Sequence, residues 1–289
     1  MSGRLRGFFL VAAAAVLWGL WVIFLRPAGL PGFTSGAILF SVLVVAGLPS
    51  MWRNRHRRRT PQAWIWMAVA GLIDAGNCGC YFTALTRGSI ATAVLSHYLA
   101  PALAPLFAWL FLRERLSLRT IPATLLGLAG LAALLRPVAN GPPVLSAALW
   151  GGASAVFYGA LFPVGKRLMR EFTPFEIQGY HSIVAALVLG LVAPSAASID
   201  APLRSYLIIL VGAIFCAVLA GQLFYYGIAL APAGQAATLT YLEPLVATFA
   251  GALFFHEPIG FSAVIGAALV ISGGLVLVLE PVRQASPSS

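Results

Sequence analysis

Charge is the scarcest thing in this chain. Only 9% of its 289 residues are charged, where a soluble domain carries about 25%. Since 60% are hydrophobic and the mean hydropathy is +0.92, lipid has to be the solvent for the surface. That overrides the one or two soluble domains that length alone would suggest. Acids are rarest, with 8 Asp and Glu against 18 Lys and Arg. The resulting charge of +10 does not point to nucleic acid, because the basic residues sit in short segments between apolar runs. Their densest group is Arg53, Arg55, Arg57, Arg58 and Arg59. Such a group reads as a topology signal or as a contact for anionic lipid headgroups.

Cysteine is also sparse. Cys78, Cys80 and Cys216 all lie inside apolar runs, and residues two apart point to different faces of a helix. Neither a disulfide framework nor a metal site is indicated. Catalytic signatures are missing as well. Gly159 through Gly165-Lys166 departs from a phosphate loop, since five residues separate the glycines and Arg167 replaces the Ser or Thr. No Ser-His-Asp ordering, metal-ligand cluster or dinucleotide fingerprint stands out. The expectation is a protein that is not an enzyme, with no cofactor, no metal and no ATPase partner.

What the chain has is apolar runs. Roughly 20 apolar residues cross about 30 Å of hydrocarbon, and ten such spans are expected, near 7–25, 33–51, 63–83, 89–112, 119–135, 145–165, 175–194, 205–228, 234–255 and 261–279. Turn chemistry separates them at Arg26-Pro27 with Pro31-Gly32, at Arg136-Pro137 with Gly141-Pro142-Pro143, and at Ala231-Pro232 with Gly234. The first run is longer than a signal-peptide core, and Ala12 to Ala15 lie in its middle, so it reads as a retained span. No connection is long enough for a separate soluble domain. With the N-terminus inside, the inner segments hold 14 Lys and Arg and the outer ones Arg26, Arg87, Arg136 and Arg204. This asymmetry places both termini in the cytoplasm of a bacterial-type inner membrane.

The two halves resemble each other. At a shift of 143 residues, Ala93, Tyr98, Leu99, Pro101, Ala104, Leu110, Phe111 and Glu114 meet Ala236, Tyr241, Leu242, Pro244, Ala247, Leu253, Phe254 and Glu257. Tyr81-Phe82 meets Phe224-Tyr225, and Ala15-Val16-Leu17-Trp18-Gly19 parallels Ala155-Val156-Phe157-Tyr158-Gly159. Five spans per half is an odd number, so the second copy lies inverted. Secondary transporters use this architecture, with the binding site between the halves near midplane. The expected fold is an all-α integral membrane protein: ten transmembrane helices as two inverted five-helix repeats around a central cavity. Residues 1–140 would form the first repeat, 141–280 the second, and 281–289 a short cytoplasmic tail.

Together, Leu17-Trp18-Gly19, Tyr81-Phe82-x-Ala84-Leu85, Pro101 followed by Glu114, Tyr225-x-Gly227-Ile228-Ala229-Leu230, Glu243-Pro244 and His256-Glu257 resemble the drug/metabolite transporter superfamily over the whole chain. Within it the chain is similar to the EamA-domain exporters of ten spans, including the YddG-type exporters of aromatic amino acids. The resemblance implies export from the cytoplasm through a central cavity by alternating access. Small four-span multidrug exporters of that superfamily use a membrane glutamate in their first span. This first span has none, so that mechanism does not carry over.

Polar groups inside spans are expensive and ask for a reason. Asp74, Asn77 and Tyr81 share one helical face, either a stripe facing a water-filled cavity or, for Asp74, an acid hydrogen-bonded between helices or protonated in place. Glu243 precedes Pro244, where a freed carbonyl and a carboxylate could bind a cation or a proton. Its repeat mate is Ala100, so the symmetry breaks at this acid, and it lies either in the cavity or at the cytoplasmic surface. Trp18 with Tyr158, and Tyr98 with Tyr241, are favoured as cavity aromatics because the repeat places them equivalently. An aromatic-lined cavity suits flat groups and organic cations. His97 and His181 are candidate proton carriers or helix–helix hydrogen-bonding groups. Gln178 makes the His181 face polar, and Gln222 is a plausible cavity amide. Glu114 reads as an ion pair with flanking Arg113 or Arg115, of little energetic weight. Gly127, Gly130, Gly273 and Gly274 read as sites of close helix approach.

The midplane thus offers acids and aromatics and no basic residue. The leading expectation is a secondary exporter of small zwitterionic or cationic metabolites, chiefly amino acids with hydrophobic or aromatic side chains. Its partners are that substrate and membrane lipids. A broad-specificity proton-coupled exporter of drugs or organic cations, and a non-transporting membrane scaffold, stand as alternatives.

Overall fold

A computed structural model describes residues 3–30, 32–87, 90–115, 117–135, 144–192, 201–256 and 259–279. The expected turns at 136–143, Glu257, Arg283 and the tail 281–289 lie outside them. All regular structure among the described residues is helical: α1 (Gly3–Gly19), α2 (Val22–Ala28), α3 (Gly32–Arg53), α4 (Pro61–Arg87), α5 (Ile90–His97), α6 (Ala100–Leu112), α7 (Thr120–Leu135), α8 (Val144–Leu168), α9 (Pro174–Val192), α10 (Leu203–Ala213), a π-helical turn (Ile214–Leu219), α11 (Ala220–Leu230), α12 (Ala233–Leu239), α13 (Leu242–Phe255) and α14 (Phe261–Val278). They make ten spans, because α1 with α2, α5 with α6, α10 with α11, and α12 with α13 are each one crossing interrupted part-way. Seven spans are long and apolar enough to cross a membrane, and α7 and α14 are shorter apolar helices. The tenth, α9, is diluted by Glu176, Gln178 and His181 in its first half.

The inversion can be read at one end of the bundle. Arg4, opening α1, donates to Gln235 in α12 at 3.1 Å and to the Leu277 carbonyl at the end of α14. Lys166, closing α8, meets Glu114 at 2.7 Å and the Ala231 carbonyl at 2.6 Å, and the Ala233 N–H donates to Glu114 at 2.8 Å. So α1 starts at the face where its mate α8 finishes. Glu114 therefore pairs with Lys166 of the other half rather than with flanking Arg113 or Arg115. The physical reason is the cap: Arg113 adopts a left-handed conformation (φ 56°) that ends α6, and His256, its mate 143 residues on, ends α13 with φ 56° as well.

The closest helix pairs all join the halves: α4 with α8, α7 with α14, α3 with α9, and α1 with α11. A twofold exchange of the copies maps this set onto itself. At the α7–α14 seam, a Cβ on Gly130 would stand 2.7 Å from the Gly266 carbonyl, and one on Gly273 would stand 2.7 Å from the Ala123 carbonyl. These contacts are repeat mates, and they let the two backbones touch, as small residues do in membranes. Gly274 has ordinary clearance from Leu239 at 3.6 Å, so the close approach expected there is not used.

On the face where α1 starts, Arg59 meets Glu176 at 2.5 Å with both side chains almost fully buried and lies over the Phe172 ring. It thus differs from the exposed arginines before it. Glu176 also accepts from the Thr173 N–H at 2.8 Å and the Thr173 hydroxyl at 3.0 Å, a capping box with Pro174 at the first helical position. Beside it, the Thr60 N–H and hydroxyl donate to Glu171 at 2.9 and 2.8 Å, which holds that exposed carboxyl below the usual carboxylate range. The Arg59–Glu176 and Thr60–Glu171 contacts fasten the first half to the second.

Candidate substrate cavity

Every span except α7 and α14 sends side chains into one central cavity of about 260 Å³. It exists because two spans break where it lies. In the first half, α5 stops at His97 and α6 restarts at Ala100; in the second, α12 stops at Leu239 and α13 restarts at Leu242. Pro101 and Pro244 fall in the first turn of the restarting helices, where a missing N–H costs nothing. Discontinuous helices of this kind expose backbone and side chains to a cavity, not to lipid. The breaks are held by matching contacts. A Cβ on Gly19 would stand 2.5 Å from the Glu243 carbonyl, and one on its mate Gly159 would stand 3.0 Å from the Ala100 carbonyl.

Of the residues expected to form the site, Trp18, Asp74, Asn77, Tyr81, His97, Tyr158, His181 and Glu243 all line this cavity. Tyr98 and Tyr241 do not; they are 3% and 1% exposed and meet each other at 6.3 Å between ring centres. Tyr241 turns away because Gly127 leaves its ring a place on α7, and its hydroxyl is buried without a partner. Tyr98 stands one layer behind the wall, yet its hydroxyl reaches the Glu243 carboxyl. That carboxyl also lies within electrostatic reach of Tyr81 and Tyr158.

Glu243 is thus ringed by phenols. His97 lies between two of them, stacked on Tyr158 at 4.9 Å and 8° and 4.4 Å from Tyr81. Trp18 meets Phe224 at 5.1 Å. In another part of the wall Asp74 hydrogen-bonds Asn77, and its Oδ2 lies 3.5 Å from Nδ1 of His181. Asp74 therefore faces the cavity and lies against α9, while its hydrogen bond to Asn77 stays within α4. The lining holds these two carboxylates and no Lys or Arg. A second groove, of about 180 Å³ and lined by residues such as Leu5, Phe8, Leu239 and Val270, offers no charged group.

The match to known proteins follows the same two halves. The model of the EamA-like transporter family matches residues 5–136 and again 145–279. The chain belongs to that family. Uncharacterized transporters are its relatives. One from Archaeoglobus fulgidus is 27% identical over 279 residues, covering 92% of this chain and 94% of its own. Another, YwfM of Bacillus subtilis, is 29% identical over 294 residues, covering 98% and 97%. A solved crystal structure shares the fold with a TM-score of 0.80 at 23% identity, over 94% of this chain and 98% of that one. This EamA-like chain is accordingly a multi-pass membrane transporter and not an enzyme.

Two residues outside the expected site, Ser154 and Gln178, organise the EamA-like cavity. Ser154, fully buried on α8, donates to the Asn77 side chain at 2.8 Å and shares a 2.8 Å hydrogen bond with Nδ1 of His97. It ties α4, α5 and α8 together. Gln178 reaches into the π-helical turn, where its amide nitrogen donates to the carbonyls of Ala217 at 3.0 Å and Val218 at 3.3 Å. Gln222 donates to its oxygen, and Gly221 leaves room for the amide. The wider turn frees carbonyls that a regular helix would use, and Gln178 satisfies them. Gln222, expected as a cavity amide, stands behind the wall as its support. Only the run of small residues around Ser154 and the Gly221-Gln222 pair could have signalled these roles.

Proposed function

We propose that this transporter exports small metabolites bearing a positively charged amino group, chiefly amino acids with hydrophobic or aromatic side chains. On this reading they leave the cytoplasm across the cytoplasmic membrane by alternating access. The observation that carries the reading is the Glu243 carboxylate, set among Tyr81, Tyr98 and Tyr158 in a cavity lined without Lys or Arg. A carboxylate beside aromatic faces suits an ammonium group and the ring or alkyl chain attached to it. A basic-free wall offers no partner to a strongly anionic substrate such as a nucleotide sugar. The cavity is also small: about 260 Å³ lies at the low end of small-molecule sites, which span roughly 300–1,000 Å³.

Lys and Arg concentrate in the segments on the side where α1 starts, which supports cytoplasmic termini. The repeats are taken as 1–140 and 141–280, with the cavity lined from both. Similarity to YddG-type exporters supports the amino-acid reading. An organic cation would meet the same carboxylate and rings, so exchange has to distinguish the two. Purified protein in liposomes loaded with L-phenylalanine should drive uptake of labelled L-phenylalanine by counterflow. Counterflow only with tetraphenylphosphonium would transfer the assignment to drug export. Absence of exchange for both, with folded protein, would overturn the amine reading of the cavity.

A further inference from the structure

We infer that Asp74 and His181 form a proton site separate from the Glu243 region, so that one proton enters as one protonated amine leaves. The inference rests on the reading of the cavity as an amine exporter, but its geometry is independent of substrate. The pair spans the halves: Asp74 lies on α4 and His181 on α9, with 3.5 Å between Oδ2 and Nδ1. His181 continues inward, its Nε2 lying 3.4 Å from the Tyr225 hydroxyl on α11. Asp74 is 18% exposed and His181 5%, so both line the cavity and the acid is the more open to it. That order suits a proton taken up from cavity water and shared with a buried base.

The surroundings leave the pair to itself. Cys78 on α4, Tyr158 on α8, and Cys216 and Tyr225 on the eighth span are the titratable groups that face it. Each is neutral in its ordinary protonation state near pH 7. From α3 comes only the Phe40 ring, edge-on to His181 at 6.5 Å; from α5, His97, occupied by its tyrosine stack and Ser154. Glu243 on α13 is the remaining acid of the wall. Among the described residues no Lys or Arg lines the cavity to neutralise Asp74 permanently, which leaves it open to protonation from cavity water. In the exchange the proton binds at the Asp74–His181 pair as the ammonium group departs from Glu243; a zwitterionic amino acid takes its own carboxylate with it, so each turn moves one net positive charge inward.

The test has two arms. In the first, infrared difference spectra of detergent-purified protein are recorded between about pH 5 and pH 8, where a histidine-coupled site changes protonation. A protonated-carboxyl band that is lost in Asp74→Asn, shifted in midpoint in His181→Gln and kept in Glu243→Gln is expected. A band unchanged in both Asp74→Asn and His181→Gln would overturn the site. In the second, wild-type proteoliposomes under a gradient of about one pH unit, with the membrane potential held at zero by equal potassium and valinomycin, should accumulate L-phenylalanine roughly tenfold, the yield of exchanging one proton. Asp74→Asn should accumulate none while still exchanging labelled for unlabelled substrate. Tenfold accumulation by Asp74→Asn would overturn the coupling role. Loss of its exchange would make Asp74 a substrate ligand and overturn the separation. Failure of the wild type to exchange L-phenylalanine at all would count against the substrate reading, and the infrared arm would still decide the proton site.

Discussion

The two helix breaks are one backbone device carrying different chemistry. In the first copy His97, Tyr98, Leu99 and Ala100 occupy the break; in the second, Thr240, Tyr241, Leu242 and Glu243. Both tyrosines are buried, both prolines restart a helix, and a glycine of the facing span touches the carbonyl of the fourth residue in each case. Yet the first break presents an imidazole wedged between rings, and the second presents a carboxylate. Thr240, the mate of His97, is fully buried and bonds the Ala237 carbonyl at 2.7 Å. Duplication supplies the break in the helix, and departure from it supplies the carboxylate proposed to meet the ligand.

The comparison can be broken most directly at the charge. Glu243→Gln removes a charged hydrogen-bonding partner, worth about 1.5–3 kcal/mol, and should weaken L-phenylalanine binding by roughly 10- to 100-fold in a calorimetric titration, with the protein still folded. The backbone device sharpens it next. Gly19→Ala should lower stability by about 1–3 kcal/mol, the usual cost of overpacking, because the new Cβ meets the Glu243 carbonyl at 2.5 Å and the Val246 Cβ at 2.7 Å. Gly159→Ala should cost less, since its nearest contacts are 3.0 and 3.3 Å; thermal unfolding of the pair in detergent checks the order.

A smaller effect is expected at Tyr98. Tyr98→Phe leaves the ring in place and takes one hydroxyl from Glu243, so affinity should fall by roughly fivefold, about 1 kcal/mol. The mate Tyr241→Phe, whose hydroxyl has no partner, should leave affinity unchanged. The smallest lies outside the membrane. The Glu171 carboxyl is depressed by its hydrogen bonds from Thr60. Its contribution to stability is therefore complete above the ordinary carboxylate range and fades as pH falls through its lower folded value. Glu171→Gln should remove that component from the pH profile of unfolding.

How far the sequence reaches follows the same division. The spans are legible because a lipid solvent demands long apolar runs, and the repeat is legible because the breaks and caps recur at a shift of 143. Glu243 stood out because its mate is Ala100. What symmetry alone could not tell is which way an equivalent side chain turns. Tyr98 and Tyr241 are equivalent to each other but pack against the α7–α14 side, because Gly127 makes room there. Contacts between distant spans were equally hidden: Ser154 to Asn77 and His97, Gln178 to the π-helical turn, and Lys166 to Glu114 each join residues with no sequence pattern between them. The Lys166–Glu114 and Arg59–Glu176 pairs bind the halves on one face. Opening the cavity toward that face would have to break them, whereas the reading from sequence gave Glu114 a partner within its own loop.

A calorimetric titration of the purified protein with three ligands of one skeleton tests the central claim most directly: L-phenylalanine, phenethylamine and phenylpropionate. A cavity that reads an ammonium group through Glu243 binds the first two and not the carboxylate, and loses both with Glu243→Gln. Binding of phenylpropionate in preference to phenethylamine, unchanged in Glu243→Gln, would contradict it.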